Sequence, residues 1–199
     1  MTRVRLALVT AAACLLAAAI ALALAGRGGG HGTVDAQTGF AGALRPEGMP
    51  APRFALRDED GRLVTSRSLR GRPAVVTFLY TSCRDTCPLV ADQVRGALDD
   101  LPRAVPVVAV SVDPRGDTPL AAKRFLARHG LTGRARFLLG SDRELAPVWR
   151  QFGVQPQGRG SDHTPSTVLL DRTGRQRIGF LADDITPEGV AHDLRRLGA

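Results

Sequence analysis

The chain opens with Arg3 and Arg5, followed by an uncharged run from Leu6 to Ala25. That run holds 20 residues, ten of them alanine, and Thr10 is its only hydroxyl side chain. A helix of this length just spans a hydrocarbon core. Basic residues ahead of it favour leaving the N-terminus in the cytoplasm. Residues 1–25 therefore read as a signal peptide or a membrane anchor. Ala23-Leu24-Ala25 has the small-x-small pattern of a cleavage site, while the length of the run favours a retained single anchor. Either way the remainder lies on the extracytoplasmic side of a cell membrane. Residues 26–52 begin Gly26-Arg27-Gly28-Gly29-Gly30-His31-Gly32 and stay poor in apolar residues, so they read as a flexible linker. His31 within it reads as solvated.

Residues 53–199 change character. Phe54-Ala55-Leu56 and Leu63-Val64-Thr65 flank Asp58-Glu59-Asp60-Gly61, the pattern of a hairpin. Ala74 to Leu79 and Val105 to Val112 are near-continuous apolar runs with β-branched residues, which mark strands buried on both faces. Leu89, Val90, Val94, Leu98 and Leu101 recur at helical spacing after Pro88. Thr118-Pro119 opens a second helix as N-cap and first residue, ending near His129 and Gly130. Phe137-Leu138-Leu139 is a short strand. Asp142 then caps a helix whose Leu145, Val148, Trp149 and Phe152 share a face, with Pro147 inside it. Thr167–Leu170 and Gln176–Phe180 are strands joined by a turn, and Thr186-Pro187 opens a last helix. The order predicts an α/β domain with a mixed central sheet, partly parallel, with flanking helices and an antiparallel strand pair at its edge.

Composition narrows the function. The chain has 199 residues, with 27 Lys+Arg against 19 Asp+Glu, a net charge of +8. Removing Arg3 and Arg5 leaves 25 basic and 19 acidic residues, a balance of +6 from Leu6 onward. Lys123 is the only lysine, and the arginines are dispersed with little aromatic interleaving, so no nucleic-acid partner is expected. On an exported domain the excess suits anionic lipid headgroups or an acidic partner. Three cysteines are too few for a disulfide scaffold, an all-cysteine zinc site or a cysteine-ligated cluster. Cys14 lies inside the apolar run, where an acylated cysteine would not sit. That leaves Cys83 and Cys87 as the only pair in the exported part.

Cys83 and Cys87 follow the first buried strand and lead into a helix, the place where α/β sheets put ligands. Residues four apart on a helical turn share a face. Their Cα atoms then lie roughly 6 Å apart, a separation that permits a disulfide in the oxidised form. The same spacing lets two thiolates clamp one metal ion, and two thiolates select Cu(I). Three roles follow: a structural disulfide, a redox-active dithiol, or a soft-metal site. Of the histidines beyond the linker, His129 reads as a helix-end residue and His192 as a residue of a solvated face. His163, in a loop immediately before a buried strand, is the candidate third ligand.

The segment resembles the SCO/SenC family of copper chaperones. The likeness rests on Phe78-x-Tyr80-Thr81-x-Cys83-x-x-x-Cys87-Pro88, on Ser111-Val112-Asp113-Pro114-x-x-Asp117-Thr118-Pro119, and on Asp162-His163 followed by Val168-Leu169-Leu170-Asp171-x-x-Gly174. Phe54-x-Leu56-x-Asp58 and Leu69-x-Gly71-Arg72-Pro73 add to it. The resemblance implies a thioredoxin-like fold and copper as the bound metal, with Cu(I) held by Cys83 and Cys87 and Cu(II) held by those two and His163. It implies a metallochaperone rather than an enzyme, receiving copper from a donor protein. The cargo would go to the copper-bearing subunit of cytochrome c oxidase, for assembly of its dinuclear centre. Two features depart from the family pattern. Arg84 stands where the family often has proline, and Thr164-Pro165 resembles thiol-disulfide oxidoreductases, whose cis-proline faces their cysteines. Arg84 suits either role, as a cation that stabilises thiolate, whereas Thr164-Pro165 raises an alternative: an extracytoplasmic oxidoreductase that reduces cysteines of a copper site or of another exported protein.

Overall fold

The computed structural model describes residues 34–47, 49–155 and 166–199. The apolar segment 1–25, Cys14, His163 and Pro165 lie outside the described residues. Eight strands run in the order β1 (Ala43–Leu44), β2 (Ala55–Arg57), β3 (Leu63–Thr65), β4 (Ala74–Leu79), β5 (Val107–Ser111), β6 (Arg136–Leu138), β7 (Ser166–Leu170) and β8 (Gln176–Leu181). Among the described residues four helices accompany them: α1 (Thr86–Asp99), α2 (Pro119–Arg128), α3 (Asp142–Phe152) and α4 (Pro187–Arg196). None is long and apolar enough to cross a membrane.

Six strands form one mixed sheet in the order β1-β8-β7-β4-β5-β6, and β2 and β3 pair as a separate hairpin. β4, β5 and β6 are parallel, while β7 runs antiparallel to both β4 and β8. Period-two alternation makes β4 serve two cores. Val75 and Leu79 face one core, lined by α1, α2 and α4. Ala74, Val76 and Phe78 face the other, closed by α3 and the hairpin. All six residues of β4 are buried, which is why the strand reads as an unbroken apolar run.

Two expectations change. The strand pair β7–β8 is not the edge of the sheet; β7 lies beside β4, and β1 is the edge beyond β8. β1 has only two residues, Ala43 and Leu44, opposite Gly179 and Ile178, too short to leave a pattern. The N-cap of α3 is Ser141, not Asp142. Its backbone N–H and its hydroxyl both donate to the Glu144 carboxylate, at 2.8 and 2.6 Å. That is the reciprocal box that a Ser-x-x-Glu sequence forms at a helix start.

β1 belongs to a strap, residues 34–45, within the stretch whose composition reads as linker. The strap is held by a buried carboxylate. Asp193 of α4, fully enclosed, accepts the backbone N–H groups of Ala41 at 2.8 Å and Gly42 at 2.9 Å. Gly42 has no alternative: a Cβ there would collide with the side chains of Ile178 and Phe180. Further along, the Arg45 guanidinium donates to the Phe152 carbonyl and to Gln176, tying the strap to both faces of the sheet.

Replacing Asp193 by Ala strands two amide donors beside an apolar core. Each costs about 1–3 kcal/mol. The expected result is a lower urea midpoint together with fast hydrogen exchange at Ala41 and Gly42. An unchanged midpoint would show that the strap adds nothing to the fold.

Candidate metal centre

β4 ends at Leu79 and the chain turns through Tyr80-Thr81-Ser82 to Cys83, with α1 beginning at Thr86. Both cysteines are free thiols, Cys83 half-buried and Cys87 fully buried. The sequence pattern places both on one helical turn; in the structure only Cys87 is helical. Cys83 precedes the helix, and its sulfur accepts the backbone N–H of Cys87 at 3.3 Å. The N-cap residue Asp85 makes no side-chain cap, so the first turn of α1 has amide donors to spare. The sulfur of Cys83 takes the place of a capping oxygen.

That placement splits the two thiols. Burial opposes ionisation of Cys83, but hydrogen bonds to its sulfur outweigh burial. They come from the Cys87 thiol, from the Asp85 and Cys87 amides and from the Tyr80 hydroxyl, and its pKa falls below the ordinary thiol value. The positive end of a helix favours the same charge. Cys87 goes the other way. Burial pushes its pKa far up, reinforced by its hydrogen bond to Cys83 and by the nearby charges of Cys83 and Asp117. One cysteine is made easier to ionise and the other harder.

Asp117 was quoted above only as part of a motif, with no role. The structure puts it at the hinge of the site. It is almost completely buried behind the thiol loop. One carboxylate oxygen accepts both the backbone N–H and the hydroxyl of Thr81 at 2.7 Å. The other accepts the Ser111 hydroxyl at 2.5 Å, at the end of β5. Trp149 of α3 donates its indole N–H to the Ser111 carbonyl at 2.9 Å. The end of β5, the turn into α2 and the loop that bears the cysteines are thus locked together. Burial raises the Asp117 pKa despite these three donors, and Asp113 nearby adds to the rise. A buried serine ending a strand, six residues before an aspartate and an N-cap threonine, was the available signal.

The other candidates are elsewhere. His129 ends α2, with its ring against Phe125 and its Nδ1 3.0 Å from Asp92. His192 sits on α4 with Nδ1 against Asp193. Neither belongs to the thiol loop. No cluster of three or more metal-ligating side chains occurs among the described residues. The register of β7 answers the question of direction for its own first residue. Thr167 lies opposite Thr77, so Ser166, at the start of β7, lies at the end of the sheet from which the cysteine loop departs.

Alkylation with iodoacetamide should therefore strike Cys83 before Cys87, with a pH–rate curve centred at lower pH for Cys83. Cys83→Ser should leave Cys87 nearly inert at neutral pH. Equal rates at the two cysteines would contradict the asymmetry. For Asp117 the sign is opposite to that of a paired carboxylate. Its raised folded pKa means that the stability tied to its protonated form is present in acid and lost as pH rises through the folded value. Asp117→Asn, which can still accept from Thr81 and can donate to Ser111, should gain stability relative to the parent as pH climbs above about 4. Urea unfolding of both chains across that range measures it, and a constant difference would show that Asp117 does not titrate abnormally.

Residues 44–199 match the family model for SCO1/SenC. The chain is 30% identical over 155 residues to protein SenC of Rhodobacter capsulatus, covering 71% of this chain and 67% of that one. It is similar in structure to copper-bound ScoI of Bradyrhizobium japonicum, with a TM-score of 0.60 and 34% identity over 74% of this chain and 98% of the other. Apo Sco1 of Thermus thermophilus gives a TM-score of 0.67 at 28% identity, over 79% and 96% of the two chains. With more than half its length matched, and with the thioredoxin-like sheet of these relatives, the chain belongs to the SCO1/SenC family.

Proposed function

We propose that this chain is a copper metallochaperone, with copper as cargo rather than as a catalytic cofactor. The observation that carries the reading is the pair of unlike thiols at the head of α1: a half-buried sulfur that accepts an amide of the first turn, beside a second one fully buried. Two sulfurs in a half-buried setting suit a soft ion of low coordination number, which Cu(I) is. Copper bound in the related ScoI, at 34% identity, supports the same cargo here. Cys83 and Cys87 hold Cu(I), and His163 joins them for Cu(II). His163 is three residues ahead of Ser166, which lies at the thiol end of the sheet, and three residues of chain reach about 10 Å. The recipient is the copper-bearing subunit of cytochrome c oxidase, and residues 1–25 hold the domain at the extracytoplasmic face of a membrane.

The protonated state of Cys87 governs capture. Binding must expel its proton, because the thiolate is the ligand. Apparent Cu(I) affinity should therefore rise with pH, by about tenfold per unit while one proton is released. Anaerobic competition against a Cu(I) chelator at several pH values reads this slope, and a flat profile would contradict it. Cys83→Ser and Cys87→Ser should each abolish tight Cu(I) binding. His163→Ala should keep Cu(I) but lose the intense thiolate charge-transfer band of Cu(II). An unchanged Cu(II) spectrum in that variant removes His163 from the site. Delivery is tested by mixing the copper-loaded chain with the copper-free oxidase subunit and following the absorption of the dinuclear centre.

The same asymmetry favours a second reading, a thiol-disulfide oxidoreductase. A low-pKa, accessible thiol backed by a buried one is the arrangement for attack and resolution. Turnover of a disulfide substrate that needs both cysteines and survives His163→Ala, without Cu(I) retention, would favour it over copper carriage.

A further inference from the structure

Beside the thiol loop lies a groove of about 360 Å³, lined on one side by Thr81 and Ser82 and on the other by Gly116, Leu120, Arg124 and Arg128. Two arginines, Arg124 and Arg128, line the concavity itself, and Arg84 and Arg115 are the chain neighbours of Cys83 and of the lining residue Gly116. All four side chains are exposed, and among the described residues none makes an ion pair or hydrogen bond. Elsewhere Arg62, Arg95, Arg134, Arg136 and Arg177 pair with carboxylates, while Arg70 and Arg103, at the far end of the sheet, are exposed and equally without an ion pair among the described residues. Of the carboxylates nearest the groove, Asp117 is buried against Thr81 and Ser111, and Asp113 takes the Gly116 amide at 3.0 Å. Asp85, the N-cap of α1, is exposed and is the one acid left facing solvent beside the cysteines.

Apolar surface gathers at the same end of the sheet. Leu89 in the first turn of α1 is 47% exposed, and Leu120 in the first turn of α2, which lines the groove, is 57% exposed. Leucines next to unpaired arginines are the composition of a protein interface, where apolar contact supplies area and arginine supplies directed charge. A solvated charged face would not need the leucines, and a hydrophobic docking face would not need four free guanidinium groups. Of the other acids at this end of the sheet, Asp183, Asp184 and Glu188 follow β8, two strands from β4, and Asp142 and Glu144 open α3, which packs in the other core from α2.

We infer that the groove between Thr81-Ser82 and α2 is the docking site for a protein partner that presents a carboxylate-rich rim around its own metal or thiol site. This rests on the copper reading only in saying what the partner exchanges; the charge pattern stands without it. A partner seated there would set its carboxylates on Arg124 and Arg128 and its apolar edge on Leu120. Its own ligands would then face Cys83, one residue beyond Ser82 of the groove wall. Charge of this kind steers encounter and fixes register more than it adds affinity.

The test uses the full chain, reduced and metal-free, in non-ionic detergent, with a fluorescein-labelled hexaglutamate peptide read by anisotropy. The peptide should bind in a salt-dependent way. The double substitution Arg124→Glu and Arg128→Glu should weaken it about tenfold or more. Arg70→Glu with Arg103→Glu makes the same change in net charge at the far end of the sheet and should leave binding within about twofold. Equal losses in the two doubles, or no binding by the parent, would overturn the proposal. So would a preference for equimolar phosphatidylcholine–phosphatidylglycerol vesicles that Arg124→Glu with Arg128→Glu abolishes, since the groove would then serve a lipid surface. Because no copper is present, the assay reports on the groove whether or not copper titration of the same chain succeeds.

Discussion

A single buried carboxylate holds the site together. Asp117 ties the loop that carries the cysteines to the end of β5 and to the start of α2, through Thr81 and Ser111. A buried charge is costly unless every lone pair is used. Here three donors surround it, yet burial still raises its pKa. The arrangement makes sense as a constraint on geometry. The thiol loop leaves the sheet with no secondary structure of its own, and Thr81 is clamped two residues before Cys83. Trp149 braces the same strand end from the opposite core. Both layers of the domain thus converge on the residues next to the sulfur atoms.

From that clamp follows the inequality between the cysteines. Cys83 is delivered to the open end of α1, where amides lack partners, and Cys87 is carried into the core beneath β4. The same helix turn stabilises negative charge on one sulfur and, by enclosing the other, forbids it. Asp117 adds to the second effect, because its charge faces Cys87. A soft cation entering the pair would relieve both the buried proton and the buried anion.

Much of this was legible beforehand, and the limits are physical. The run Ala74–Leu79 announced a doubly buried strand because each of its residues enters a core. Thr118-Pro119 and Thr186-Pro187 announced helix starts because capping is local chemistry. The Cys-x-x-x-Cys spacing placed the pair, but it could not show that Cys83 lies outside the helix and caps it. Asp117 was hidden for the opposite reason: an aspartate after Asp-Pro and before a threonine reads as a solvated turn residue, and only the closeness of β4 and β5 buries it. β1 and its clamp on Asp193 join positions about 150 apart in sequence, a pairing that no window of the chain contains. As candidate metal ligands, Cys83, Cys87 and His163 were nominated by residue type and position, and the register of β7 bears on the sheet end at which its first residue, Ser166, lies.

The strap also decides where the domain is held when it is pulled. Its first residues lie against the last turn of α4, where Arg196 stacks on Phe40 at 4.8 Å. α4 in turn ends beside the turn after β7, since Arg172 donates to the Gly198 carbonyl at 2.8 Å. That is the end of the sheet away from the cysteines, and β1 is three strands removed from β4. Tension arriving through the N-terminal residues would be taken by two amide hydrogen bonds to Asp193, a two-residue strand and the Arg45 contacts. The mechanical fuse of the molecule is therefore at its rear. Force along the chain at residue 34 would peel residues 34–45 while the thiol loop, on the far side of the load path, kept its shape.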